Sequence, residues 1–233
     1  MAYRYIFMLA CCLICSFAAA QLDSLEFYAH RGINNANYFA EDTYLSRGAA
    51  EKRVEGSLFL EAQWQEARIL TPQNEVVAAR ARYRIYDEEM QVLGANNEVL
   101  ALYPAKVRAV AIGRQVFVPL EYQDKQGGAT TGFFQLLVEG EASLLLRREM
   151  ELVHGDYNPA LNIGDRNDHF EARETYYYRY QKGKLQLLRL NKKAVLDALG
   201  RRKKAVAEYA RASNLGFRKQ EEIVALFQFY NRS

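Results

Sequence analysis

The clearest pattern in the chain is an alternation of apolar and basic residues over residues 77–86. Ala79, Ala81, Tyr83 and Ile85 belong to one set of alternate positions, and three arginines and Tyr86 belong to the other. Side chains of a β-strand point alternately to its two faces. The pattern therefore predicts a strand with its apolar set inward and its arginines outward.

Short apolar runs separated by Asn, Gly and Pro extend this strand pattern over residues 56–190. A loop rich in Asn, Asp and Gly over 154–170 interrupts it. Three hairpins are predicted, with strands over 107–112 and 116–118, over 133–138 and 142–152, and over 175–180 and 185–190. Pro119 closes its strand or lies at a sheet edge, because proline has no N–H for the ladder. The pattern predicts an antiparallel β-meander that forms a curved sheet or half-barrel.

From Asn191 onward the apolar positions recur with helical spacing. Asn191 is a good N-cap, and Gly200 suits the position that follows a helix end. Each of three short helices has one apolar stripe, and the sheet is the nearest surface that can bury it. We predict an α+β fold in which a β-rich domain over 56–190 precedes a C-terminal bundle of three short helices over 191–233.

Residues 1–20 have the pattern of a secretory signal peptide, with Arg4, an apolar run over 6–17 and three final alanines. The run is shorter than the roughly 20 residues that cross a bilayer as a helix, so we predict cleavage and no transmembrane span in the mature chain. Lipoprotein cleavage before Cys11 is disfavoured, because it leaves a very short apolar core. Residues 21–55 mix polar and aromatic residues, which predicts irregular structure or a short helix.

Composition and charge argue against several classes of function. All three cysteines lie in the predicted signal peptide, so the mature chain has no thiol for disulfides, metal ligation or nucleophilic attack. The 31 basic residues nearly balance the 28 acidic ones, and no whole-molecule field favours nucleic acid. His30, His154 and His169 lie in no metal-ligand spacing, and there is no Gly-x-Ser-x-Gly elbow. We expect no enzymatic activity and no cofactor or metal.

Two sets of side chains are candidates for binding a ligand. The first set, which we call the arginine row, presents guanidinium groups that suit a carboxylate or phosphate. It consists of Arg80, Arg82 and Arg84. The alternative is a solvated outer face paired with acidic neighbours. The second set consists of Tyr176, Tyr178 and Tyr180, which alternation places on one face of a strand with Tyr177 on the other. These rings suit stacking on a ligand, or alternatively packing between the sheet and its helices.

Two further clusters have weaker signals. The loop over 154–170 carries Asp156, Asp165 and Asp168, whose oxygens suit calcium, but its spacing does not match an EF-hand. Asp and Asn are also the residues that turns require. The basic run, residues 201–204, sits at a predicted helix start, where a solvated face is the usual interpretation.

Four segments of the chain resemble an uncharacterised family of exported periplasmic or envelope proteins of Bacteroidetes. They are YRIYDEEM over 83–90, GFFQLLVEG over 132–140, YNPA over 157–160 and FYN over 229–231. The resemblance implies an envelope location in a Gram-negative cell, with the periplasm favoured and secretion or outer-membrane association as alternatives. It implies no activity and no catalytic residues.

Three hypotheses for the function follow. The first is a non-enzymatic envelope protein that binds another protein, or a cell-wall or outer-membrane component, through the sheet or the helical tail. The second is a small-ligand carrier in which the curved sheet surrounds an apolar or anionic ligand. The third is a hydrolase with carboxylates that the sequence does not assign.

Overall fold

The computed structural model describes residues 27–29 and 54–232, apart from residues 95, 125, 166 and 182. The predicted signal peptide and most of the segment 21–55 lie outside the described residues. The strands are β1 Phe27–Ala29, β2 Val54–Glu55, β3 Gln65–Leu70, β4 Val76–Arg84, β5 Glu89–Leu93, β6 Val99–Leu102, β7 Ala109–Ile112, β8 Gln115–Gln123, β9 Ala129–Val138, β10 Ala142–Val153, β11 Asp168–Tyr180 and β12 Gln186–Leu188. The α-helices are α1 Lys192–Ala198, α2 Lys203–Ala212 and α3 Gln220–Arg232.

The strands form one curled sheet, a half-barrel, and the C-terminal helices follow it, which confirms the predicted fold class. The order of strands across the sheet is β1-β6-β5-β4-β3-β7-β8-β9-β10-β11-β12, and neighbours along this path are antiparallel. Between β3 and β12 it departs from a simple meander at one step, because β7 pairs with β3 instead of β6. A 3₁₀ turn at Pro104–Lys106 makes this crossover. This crossover pairs the second edge of β3 with β7. Local sequence does not specify such a pairing, because the two strands are distant in the chain.

One stretch of chain ties distant parts of the sheet together. β2 pairs in parallel with the start of β11. A few residues later, the Leu60 N–H donates to the Tyr83 carbonyl at 2.9 Å and the Leu58 carbonyl accepts from the Ile85 N–H at 2.8 Å. The segment between β2 and β3 therefore links β11 to β4, which lie far apart along the strand path.

The three predicted hairpins are confirmed as β7–β8, β9–β10 and β11–β12. Pro119 does not close its strand, since β8 continues to Gln123. Pairing between β7 and β8 stops at Phe117, and Pro119 is paired with β9 alone. Its missing N–H therefore breaks no ladder on the β7 side. β1 is a strand within the segment for which irregular structure or a short helix is predicted, because it pairs with the outer edge of β6.

Buried residues form two clusters. The helix-side core lies between the end of the sheet and the three helices. Its members are Val138, Ala142, Leu144, Leu146, Tyr176, Leu188, Val195, Leu196, Ala198, Leu199, Val206, Ala210, Ile223, Leu226, Phe227 and Tyr230. The predicted burial of the helical stripes on the sheet is thus observed.

The second cluster, the half-barrel core, fills the curl of the sheet with side chains. Its members are Ala67, Ile69, Val77, Ala81, Tyr83, Ile85, Met90, Val92, Leu102, Val107, Val110, Ile112, Phe117 and Phe133. Aromatic contacts hold its centre, where the Tyr83 ring lies 5.3 Å from Phe117 and 6.4 Å from Phe133 between centroids. A ligand would have to bind outside this packed interior.

Side-chain hydrogen bonds fasten the helical tail to the sheet. The Asn191 side chain accepts from the Ala194 N–H at 2.9 Å, which confirms the predicted N-cap of α1. Near the other end of the tail, the Asn231 side chain accepts from the Ala142 N–H at 3.0 Å and donates to the Ala142 carbonyl at 3.0 Å. These bonds join the last turn of α3 to the start of β10. Over the described residues, no helix is long and apolar enough to span a membrane.

Candidate ligand-binding site

A cleft of about 780 Å³ opens between β8, the end of β11 and the turn that leads into β12. Its lining combines apolar, aromatic and charged side chains. They are Leu120, Glu121, Tyr122, Gln123, Ala129, Tyr177, Arg179, Gly183, Lys184 and Leu185. A volume of this size lies within the range of about 300–1,000 Å³ that is usual for small-molecule sites.

The aromatic wall of the cleft is built on a fully buried phenylalanine. Phe134, on β9, makes an edge-to-face contact with Tyr122 at 5.6 Å and another with Tyr177 at 5.3 Å between ring centroids. The two tyrosines come from β8 and β11, and they meet the same ring because β9 and β10 lie between those strands. Such pairs hold ring planes in defined orientations. The wall is therefore preformed.

The cleft carries more positive than negative charge among its described lining residues. Arg179 and Lys184 contribute cations, and Glu121 contributes a carboxylate. The Nε atom of Arg179 is buried and has no hydrogen-bond partner in the described part of the chain. On β10, the residue paired with Arg179 is Ser143, a neutral side chain whose hydroxyl donates to the Gly140 carbonyl at 3.4 Å. The sheet thus supplies no anion to Arg179 at its paired position.

Next to the cleft, an ion cluster anchors Tyr122 to the turn between β4 and β5. The Arg147 guanidinium, on β10, lies 2.5 Å from a Glu88 carboxylate oxygen and 3.1 Å from a Glu149 oxygen. Arg147 also donates to the Tyr122 hydroxyl at 2.7 Å and lies 4.1 Å from its ring centroid. A Cβ at Gly132 would lie 3.0 Å from the Tyr122 ring and 3.1 Å from Glu88. Glycine there leaves room for the cluster that fixes Tyr122.

Two phenols beside this cluster are held in their neutral form. Burial raises the pKa of Tyr122, and the charge of Glu88 raises it further. Burial, with the same carboxylate, also raises the pKa of Tyr83, whose hydroxyl is buried without a hydrogen-bond partner. Neither phenol is therefore a base at neutral pH, and Tyr122 serves the cleft as a ring and a hydrogen-bonding group.

The arginine row lies on β4, and its central member is held by contacts within the protein. The Arg82 guanidinium lies 4.1 Å from the Phe59 ring centroid and 4.3 Å from that of Trp64. Its Nε donates to the Gln91 side chain at 2.9 Å. Burial, followed by the charge of Arg84, lowers the pKa of Arg82 to about 10. This arginine joins the 59–64 segment to the sheet.

The other members of the row also lie opposite acidic groups. Arg84 is 2.7 Å from Asp87, and Arg80 is the cross-strand partner of Glu66 on β3. Of the predicted inward set, Ala81, Tyr83 and Ile85 are buried and Ala79 is half-buried, whereas two of the arginines predicted to point outward, Arg82 and Arg84, are also half-buried. None of the three arginines lines the cleft. Ligand binding by the row stays a prediction, and the acidic-neighbour interpretation matches these contacts.

The tyrosine set lies between the sheet and the helices. Tyr176 is buried in the helix-side core, with Tyr178 and Tyr180 packed against it. The Tyr180 hydroxyl donates to the Ala198 carbonyl at the end of α1. Tyr177 lies on the opposite face, as predicted, and there it lines the cleft. The structure thus brings Tyr177, and none of the three candidate tyrosines, to the cleft, while a ligand-binding role for those three stays a prediction.

The basic run closes the helical tail onto the sheet. Arg201 and Arg202 lie 2.9 and 3.1 Å from the two carboxylate oxygens of Glu141, in the turn before β10. Lys203 lies 2.6 Å from Asp197 on α1. These contacts pair three of the four positive charges of the basic run.

Acidic side chains of the 154–170 loop bind the backbone of the loop itself. The Asp156 carboxylate accepts from the Asp165 N–H at 2.9 Å, and the Asp168 carboxylate accepts from the Gly155 N–H at 2.9 Å. Within residues 27–29 and the described part of 54–232, no group of three or more His, Cys, Asp and Glu side chains is arranged to hold a metal ion.

No local pattern in the sequence indicates that Arg179 and Lys184 are site residues. Alternation distinguishes Tyr177 from the tyrosine set only by the face of the strand on which its side chain lies. Alternation along β11 places Arg179 on the same face as Tyr177. Their convergence with Leu120 and Tyr122 required the pairing of β8 through β11, which no local pattern contains. No protein-family model, curated protein or solved structure matches the chain.

Proposed function

We propose that this protein is a non-enzymatic binding protein of the cell envelope that holds a small ligand in the cleft between β8, β11 and the turn into β12. The observation that carries the proposal is the cleft itself, with a preformed aromatic wall and about 780 Å³ of space. Ligand sites typically combine apolar walls with a few placed polar groups. The lining has this composition.

The described lining residues favour binding over hydrolysis. They include a single carboxylate, Glu121, and no histidine, serine or cysteine. Acid–base or nucleophilic hydrolysis requires paired groups within hydrogen-bond reach. The cleft therefore suits a carrier or receptor better than a hydrolase.

This proposal adopts the small-ligand hypothesis with one change of position. The ligand lies against β8 and β11, because side chains occupy the half-barrel core. The envelope location is supported by the predicted signal peptide and the resemblance to exported Bacteroidetes proteins. Binding of a protein, cell-wall or outer-membrane partner is a separate prediction, for which the cleft offers no specific support.

The proposal is tested by titrating the chain without residues 1–20 with N-phenyl-1-naphthylamine, a neutral dye that fluoresces in apolar sites. Ala129 lines the cleft and is exposed, so Ala129→Trp fills the cleft without disturbing a core. Ala172→Trp is the matched control, since Ala172 is an exposed alanine of β11 outside the lining.

We expect the wild type and Ala172→Trp to bind the dye with equal affinity, and Ala129→Trp to bind it at least about tenfold more weakly, as steric exclusion from a pocket of this size requires. Equal binding by all three proteins, or by none, would overturn the proposal. Native mass spectrometry of protein purified from envelopes then gives the mass of any ligand that is retained.

A further inference from the structure

The side chains of the cleft also indicate the chemistry of the ligand, an inference that rests on the proposed function. We infer that the ligand carries an anionic group on a flat apolar or aromatic body, and that Arg179 binds the anionic group. The inference combines three observations: an orphaned guanidinium nitrogen, a second cation nearby and a fixed aromatic wall.

The strongest observation is the Nε–H of Arg179, which is buried and has no acceptor among the residues that the structure describes. A buried donor without a partner costs stability, so such groups are uncommon unless a ligand or ordered water completes them. A carboxylate or sulfonate satisfies Nε and a terminal nitrogen together, because the guanidinium presents a planar fork. Arg179 lines the cleft, so an anionic group bound there lies within reach of its guanidinium.

The net charge of the described lining agrees with an anion. Lys184, an exposed residue before β12, adds a second positive charge, and Glu121 is the one acidic residue of the lining. By contrast, Arg173 lies on the same strand outside the cleft, 3.4 Å from Glu151. The two arginines of β11 thus differ in whether the protein supplies an anionic partner.

The aromatic wall sets the shape of the remainder of the ligand. Tyr122 and Tyr177 both rest edge-to-face on Phe134, at interplanar angles of 76° and 85°. Leu120 and Leu185 extend the apolar lining. A planar hydrocarbon or aromatic ring makes full contact with such walls, whereas a small inorganic anion makes none. The site therefore favours an organic anion over free phosphate.

The test uses two dyes that share the same rings. 1-Anilinonaphthalene-8-sulfonate carries a permanently ionised sulfonate, and N-phenyl-1-naphthylamine lacks it. We expect the wild type to bind the anionic dye about tenfold or more tightly, since a charge-assisted pair of hydrogen bonds to Arg179 is available to it alone. Ala129→Trp is expected to weaken both dyes, which places them in the cleft.

Substitutions of Arg179 distinguish the contribution of its planar hydrogen-bonding geometry from that of its positive charge. Arg179→Gln is expected to weaken the anionic dye about tenfold to a hundredfold and to change the neutral dye less than about twofold. Arg179→Lys keeps the charge without the fork and is expected to fall between Arg179→Gln and wild type. Arg173→Gln is the matched control and is expected to bind both dyes as wild type does. Circular dichroism melts establish that each variant is folded.

The outcomes distinguish this inference from the proposed function. If neither dye binds, the proposed function fails. If both dyes bind equally, or if Arg179→Gln leaves the anionic dye unaffected, the anion assignment fails and the cleft remains a binding site. Competition tests the body of the ligand: 2-naphthoate, a flat aromatic carboxylate, is expected to displace the anionic dye, and displacement by inorganic phosphate at the same concentration would overturn the requirement for an apolar body.

Discussion

The two faces of β11 lie in different environments, although their residues alternate along one strand. One face, with Tyr176, Tyr178 and Tyr180, is packed against the helices of the tail. The other face, with Tyr177 and Arg179, opens into the cleft. On the covered face the hydroxyls find partners in the protein, whereas on the open face a buried guanidinium nitrogen has none.

Under the proposed function, the difference marks where this fold gives up stability for a binding surface. A packed seam buries apolar area and satisfies its polar groups, which is the usual route to stability. The cleft leaves a donor unsatisfied and rings partly uncovered, as sites shaped for a ligand do. If this comparison is correct, substitutions on the covered side destabilise the protein, while substitutions in the cleft affect binding first.

The largest effect is expected from the covered side. Phe227 on α3 is fully buried in the helix-side core, and Phe227→Ala leaves a cavity there. We expect the free energy of unfolding to fall by about 3–5 kcal/mol, measured by urea denaturation. Gln228→Ala, at the exposed neighbouring position, is expected to stay within about 0.5 kcal/mol. Equal losses in the two variants would contradict the packed seam.

The next effect comes from the ion cluster beside the cleft. Arg147→Met leaves the carboxylates of Glu88 and Glu149 without their shared cation. We expect a loss of about 1–3 kcal/mol in the free energy of unfolding, because charged groups lose a partner in a largely buried place. Adding Glu88→Gln to Arg147→Met is expected to recover part of this loss. An unchanged urea midpoint in the single variant would show that the ion cluster does not stabilise the fold.

A smaller effect of opposite sign is expected inside the cleft. Arg179→Met keeps most of the side-chain volume and removes the unsatisfied Nε–H. We expect stability to be unchanged or to rise by up to about 1 kcal/mol, together with the loss of anionic-dye binding. Arg173→Met, outside the cleft, is expected to change neither property beyond about 0.5 kcal/mol. A destabilised Arg179→Met would mean that this arginine has a structural role.

The smallest effect concerns the pH dependence of tail docking. Desolvation raises the pKa of Glu141, but hydrogen bonds from Arg201 and Arg202 outweigh it and lower that pKa below its ordinary value of 4.5. The stabilisation is therefore complete above pH 4.5 and is lost as the pH falls through the lower folded value. We expect Glu141→Gln to flatten the decline of thermal stability below pH 4.5. An identical acid limb in the variant would exclude this contribution.

Local patterns were sufficient for most elements of the fold. The alternation over 77–86 predicted β4 and its inward residues, and three short connections predicted three hairpins. Asn191 predicted the start of α1. These features depend on residues close together in the chain, where side-chain period, turn length and capping chemistry are decisive.

Local pattern could not predict β1 or the crossover to β7. Both depend on which sheet edge remains unpaired after the other strands have associated. The same limit applies to the cleft. Alternation distinguished Tyr177 from its neighbours, but it could not indicate that Tyr177 meets Phe134, or that Arg179 faces no anion.

By itself, the sequence determined most of the elements, the inward set of β4, the two faces of β11, and a helical tail with apolar stripes to bury. Only the tertiary structure decided which face of β11 the tail covers and which face stays open. The physical reason is that the period of two makes the faces distinct, whereas their environments come from β8, β9 and the helices, which are distant in sequence.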